Sequence, residues 1–126
     1  MDTYSKNISI NVKSIFLPEH TDNSKPEFFF AYYITIINKC DDSVQLLERH
    51  WEITDANGNT KIIDGIGVVG EQPTIKKGGK YTYNSFCPLP TEFGKMEGYY
   101  KMKSKNGSIF NAEIPGFNLI VPSYLN

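Results

Sequence analysis

Two Asn-Gly pairs, Asn57-Gly58 and Asn106-Gly107, each separate short runs in which apolar and polar residues alternate. Both residues of such a pair tolerate positive φ, which a tight hairpin turn demands, so each pair reverses the chain. The runs on either side repeat every two residues, and no stretch sustains a 3.6-residue apolar period between helix caps. These reversals commit the chain to antiparallel strands. Ile8, Ile10 and Val12 alternate with Ser9, Asn11 and Lys13, the pattern of a strand with one solvated face. Phe28–Asn38 is apolar on both faces and is therefore expected at the centre of a sheet. Val44–Asp55 is expected as the next strand, returning at 61–64 after Asn57-Gly58. Residues 80–86 and 97–103 follow as strands, and 109–114 returns from the second Asn-Gly. Pro115-Gly116 is expected to break that strand before a last one over 117–121. The polar segment 20–26 is expected as a loop. About seven strands with turns every ~10 residues predict an all-β, antiparallel β-sandwich of immunoglobulin type.

The 126 residues suffice for one such domain over 1–126, with a core large enough to stand without metal or disulfide. Eight Tyr and eight Phe favour pleated, half-buried surfaces. Thirteen basic against fourteen acidic residues give a net charge of -1, with no global field to gather nucleic acid or an anionic membrane. The longest apolar run, FFFAYYITII, has half the length of a membrane span, and the polar N-terminus MDTYSKNISI lacks the apolar core of a signal peptide. A cytoplasmic protein is expected. Its two cysteines, Cys40 and Cys87, are then expected as reduced thiols, although the order Cys40, Trp51, Cys87 is that of an immunoglobulin disulfide with its tryptophan.

The segment GIGVVGEQP places Gly65, Gly67 and Gly70 in the spacing G-x-G-x-x-G. A dinucleotide site of that spacing needs a strand before the first glycine and a helix after the last. Here Pro73 and Gly78-Gly79 follow, then a strand, so no βαβ unit can be drawn. An anion nest of turn amides remains, with Lys76, Lys77 and Lys80 as counter-charges for a phosphate-containing ligand. Its alternative is that these glycines serve a bulge and a turn, with Val68 and Val69 packed as core.

Arg49 is the sole arginine. On a regular strand it shares a face with Leu47, Trp51 and Ile53, where a guanidinium must grip a ligand anion or a structural partner such as a carboxylate or carbonyl, unless a bulge turns it to solvent. Glu48, His50 and Glu52 alternate on the opposite face, as ligands for a divalent cation or as a solvated face. No cofactor is expected. No G-x-S-x-G occurs and neither cysteine has a histidine beside it, so no catalytic constellation is expected. Lys101, Lys103 and Lys105 form a basic strand face, expected as a solvated edge. The apolar face of 28–37 could be covered by the second sheet or by a second subunit in a homodimer.

The combination VQLLERHWEITDANG, GIGVVGEQPTIKKGGKYTY, GKMEGYYKM and IPGFNLIVP resembles the ApaG family, from about Ile8 to Pro122. VQLL-x-R-x-W and G-x-G-V-V-G-x-Q-P are its most specific parts. The resemblance implies a fibronectin type III-like sandwich in a bacterial, cytoplasmic protein, with a genetic link to cobalt and magnesium resistance. Similar domains in eukaryotic F-box and DNA-polymerase-interacting proteins imply a protein-interaction module with a protein partner. Nucleotide or pyrophosphate binding at the glycine segment is a further implication. No settled enzymatic activity comes with the family.

Overall fold

A computed structural model describes residues 4–18 and 27–125. The expected loop at 20–26 lies outside the described residues. Eight antiparallel strands follow in order: β1 Ile8–Phe16, β2 Phe28–Asn38, β3 Val44–Asp55, β4 Thr60–Ile66, β5 Thr74–Ile75, β6 Lys80–Leu89, β7 Phe93–Ser104 and β8 Ile109–Ile120. They form two sheets, β1-β2-β6 and β4-β3-β7-β8, with the short β5 paired to the start of β3. This is the expected sandwich of immunoglobulin and fibronectin type III type. β2 is central to its sheet, as its apolar pattern requires. One of its faces sends Phe30, Tyr32, Ile34 and Ile36 into the core, and the other leaves Tyr33 exposed beside Lys13 of β1.

The core lies between the sheets, where those β2 side chains meet Leu46 and Trp51 of β3, Met96, Tyr100 and Met102 of β7, and Phe110, Ile114 and Leu119 of β8. Trp51 takes edge-on contacts from Tyr32, Tyr100 and Phe117, the geometry that ring quadrupoles favour. Asn38 is fully buried with its side chain satisfied: its amide donates to the carbonyls of Asp42 and Ile75, and its oxygen accepts from the Cys40 amide. It thereby ties the turn that follows β2 to the end of β5.

Three expectations change. β8 runs through Pro115-Gly116 without ending, because Glu97 of β7 faces both residues in a bulge that absorbs them. Proline is tolerated there because a bulge releases it from the ladder. A second bulge on β3 leaves Leu47 as an extra residue, since Leu46 pairs with Met102 and Glu48 with the adjacent Lys101. The core face of β3 is therefore Val44 and Leu46, then Trp51 and Ile53 with Arg49 beside them, and Leu47 is displaced from it. Finally, β7, which carries Lys101 and Lys103, lies between β3 and β8 and is not an edge. The edges beside one another are β4 and β6. On the opposite side, the Ser14 hydroxyl donates to the Asn118 carbonyl and laces β1 to β8.

Candidate functional site

The glycine segment leaves β4 and docks on the β3 bulge. The extra residue exposes the Leu47 carbonyl, which accepts from the Gly67 amide at 2.8 Å and from the Gln72 side chain at 3.0 Å. Val68 and Glu71 then pair through both backbone groups around a two-residue turn. Val69 and Gly70 at its tip have φ of +47° and +78°, the signature of a type I′ turn. Each glycine thus has a geometric task. A Cβ on Gly65 would stand 2.5 Å from the guanidinium carbon of Arg49, and one on Gly67 would stand 2.1 Å from the Glu71 carbonyl oxygen. Gly70 supplies the second left-handed position. Val68 is buried, but Val69 is 64% exposed. A β-branched residue in the left-handed region, with its side chain in water, is a strained choice at a turn tip.

Arg49 pairs with Gly65 across β3 and β4 and lays its guanidinium over that glycine. Its Nη1 donates to the Ile66 carbonyl at 3.1 Å and the Gly67 carbonyl at 2.9 Å, holding the glycine segment against the sheet. The same side chain lines two adjoining clefts between β4 and β6, where the sandwich is not laced shut. The larger encloses about 520 Å³, the size of a small-molecule site, and has walls from Trp51, Ile53, Ile63, Leu89 and Met96. Around the smaller, Ile66 at 74%, Val69 at 64% and Phe86 at 59% exposure gather into an apolar rim.

Tyrosines surround the buried side of this arginine. The hydroxyls of Tyr83 and Tyr100 bond to each other, and Tyr32 bonds to Ser85. Burial pushes all three phenols upward and outweighs the opposing pull of the Arg49 charge, so they stay neutral. Cys87 also lines the larger cleft, and burial pushes its thiol up to about 11. No disulfide joins it to Cys40, and both are thiols, as expected.

His50 lies on the outer face of β3, stacked on Tyr99 with ring centroids 4.7 Å apart. Its Nδ1 meets Asp64 at 2.6 Å and its Nε2 meets Glu52 at 3.0 Å. Only the protonated ring donates from both nitrogens, and these hydrogen bonds, Asp64 first, raise its pKa. The two carboxylates sit at opposite ends of the ring, and no hydrogen bond or ion pair joins Glu48 to it. Among the described residues no group of three His, Cys, Asp or Glu side chains is arranged to hold a metal ion. Asp64 was not singled out from the sequence, because a two-residue Asn57-Gly58 turn would set Gly65 opposite His50, whereas the three-residue turn 56–58 sets Asp64 there. Lys76 and Lys77 lie in a turn fastened by Gly78 and Gly79 to the Asn38 backbone, and neither lines either cleft. The apolar rim had no sequence signal, because isolated exposed Ile, Val and Phe acquire meaning only when the fold gathers them.

Fold and cleft define an immunoglobulin-class sandwich of fibronectin type III type, with a ligand-sized opening between two edge strands. The chain belongs to the ApaG family. The family model described as the ApaG domain matches residues 18–104. Protein ApaG of Beijerinckia indica is 46% identical over 95% of this chain and 92% of its own length, and that of Brucella suis is 42% identical over 94% and 91%. The crystal structure of an ApaA protein from Bordetella pertussis superposes with a TM-score of 0.88 at 37% identity, covering 91% of this chain and 94% of that one. A chain from Archaeoglobus fulgidus at 11% identity and a TM-score of 0.54 shares the fold alone. Among the described residues no helix is long and apolar enough to cross a membrane.

Proposed function

We propose that this chain is a non-enzymatic binding module that captures a protein partner on the β4–β6 side of the sandwich. The observation behind this reading is the rim of Ile66, Val69 and Phe86, three large apolar side chains held in water around one cleft. Exposed apolar residues are ordinary singly, but a cluster rimmed by polar groups marks a contact surface. The strain accepted at Val69 supports it, since a valine there serves neither the turn nor the core. Edge strands β4 and β6 add unpaired backbone groups that an extended segment can bond. The cobalt and magnesium link implied by the family then runs through the captured partner, because both nitrogens of His50 already face carboxylates. A cytoplasmic setting fits two cysteines that form no disulfide.

The test compares the wild-type chain with Ile66→Asp/Phe86→Asp as bait in an ApaG-bearing bacterium, quantifying captured proteins by mass spectrometry. Both side chains are exposed, so the double variant is expected to keep the wild-type melting temperature. A partner held by the wild-type chain and lost by the variant is the expected result. Equal capture by both would place recognition elsewhere.

A further inference from the structure

Arg49 is a half-buried cation with no carboxylate partner among the described residues, and its two hydrogen bonds both come from Nη1. The opposite edge of the guanidinium, Nε–H beside Nη2–H, bonds to no described residue. That edge is the fork that takes a carboxylate side-on with two parallel hydrogen bonds. Two positions further along the same face of β3, Trp51 is 98% buried, and its indole N–H is the one buried side-chain polar atom without a partner among the described residues. A buried donor left unbonded costs about 1–3 kcal/mol, and the free edge of Arg49, which lines the cleft, is the donor that a ligand's acceptors can reach. The two residues stand about 7 Å apart along the strand. Beyond them the larger cleft is apolar, with Ile53, Ile63, Leu89 and Met96 in its walls.

We infer that this cleft binds a carboxylate carried on an apolar body, with the carboxylate on the free edge of Arg49 and the body along Trp51 and Ile63. The inference rests on reading the cleft as a recognition surface and names the chemistry it recognises. A singly charged group fits better than a pyrophosphate. Two cations, Arg49 and Lys61, line the cleft against the carboxylates of Glu27 and Asp55, which leaves its walls with no net charge to hold a multiply charged anion, and Lys76 and Lys77 do not line it. The acid can be a free small molecule or the C-terminus of a chain ending in an apolar residue.

Trp51 is the only tryptophan, so its indole N–H gives a single peak in a ¹⁵N–¹H correlation spectrum and reports on the cleft directly. The ¹⁵N-labelled wild-type chain is titrated separately with octanoate, 1-octanol, inorganic pyrophosphate, and a pentapeptide ending in leucine as free acid and as amide. Saturable shifts of the Trp51 indole and Gly65 amide with octanoate, at least about tenfold weaker with octanol, are expected, because the alcohol lacks the charge-assisted bonds. Tighter binding by the peptide acid than by octanoate, lost in the amide, supports the same chemistry and assigns it to a chain end. Arg49→Lys keeps the charge but not the fork and is expected to weaken the acid at least about tenfold. Its fold is checked by the dispersion of the same spectrum. Shifts with pyrophosphate alone, or with none of the probes, overturn the inference from the wild-type chain. A partner that still needs Ile66 and Phe86 while every acid fails would remove this inference and leave the interaction module standing.

Discussion

At the scale of the residue, Gly65 and Arg49 form one device: the missing side chain of the first makes room for the head group of the second. Gly65→Ala is expected to push the guanidinium off the Ile66 and Gly67 carbonyls and to cost about 1–3 kcal/mol, read as a shift in urea midpoint. Val69→Asn is expected to act in the opposite direction. Asparagine accepts the left-handed conformation that valine resists, so stability rises by about 1 kcal/mol while partner capture falls. His50 supplies a pH dependence with a defined sign. Its folded pKa is raised by Asp64 and Glu52, so its contribution is complete below the ordinary histidine value of 6.5 and is lost as pH rises through the raised value. Asp64→Asn is expected to lower the His50 titration midpoint followed by NMR and to flatten the decline in stability above pH 6.5. An unchanged midpoint would mean that the Asp64 contact does not form in solution.

At the scale of the element, the two bulges shape the site. The β3 bulge presents the Leu47 carbonyl to the glycine segment and brings Arg49, Trp51 and Ile53 into phase with Val44 and Leu46. The β8 bulge turns the strand at Pro115-Gly116, next to the pair that Ile114 makes with Gly98 of β7. There a Cβ on Gly98 would lie 1.9 Å from the His50 carbonyl oxygen. Backbone cannot yield as a flexible arginine can, so Gly98→Ala is expected to destabilise more than Gly65→Ala, by over about 3 kcal/mol. Comparing the two variants by thermal unfolding checks that order. Strand identity was legible in the sequence because alternation and Asn-Gly turns are local signals. Neither bulge was legible, since a bulge is a mismatch between two strands and is invisible within either one. That is why Leu47 was expected on the core face and Pro115-Gly116 as a break.

At the scale of the whole molecule, the sandwich is laced on its β1–β8 side and open between β4 and β6, and the cleft follows from that asymmetry. Nothing covalent holds the sheets together. Cys40 and Cys87 are buried and not joined in a disulfide, so a reductant is expected to leave the melting temperature unchanged. Cys87, with its thiol pushed up to about 11, is expected to react slowly with a thiol reagent at neutral pH until the chain unfolds. A reductant-dependent melting temperature would contradict two cysteines that form no disulfide.

The sequence by itself determined the class of fold, because turn chemistry and a two-residue period leave antiparallel strands as the only arrangement that buries the apolar faces. It also determined that Arg49 and the three glycines needed a geometric or functional account. Tertiary structure alone decided which account holds these residues in place. The guanidinium reaches the Ile66 and Gly67 carbonyls only because β4 pairs with β3 in one register, and His50 finds Asp64 for the same reason. The rim of Ile66, Val69 and Phe86 comes from segments distant in the chain, and proximity across two sheets is set by packing, which no single stretch of sequence contains.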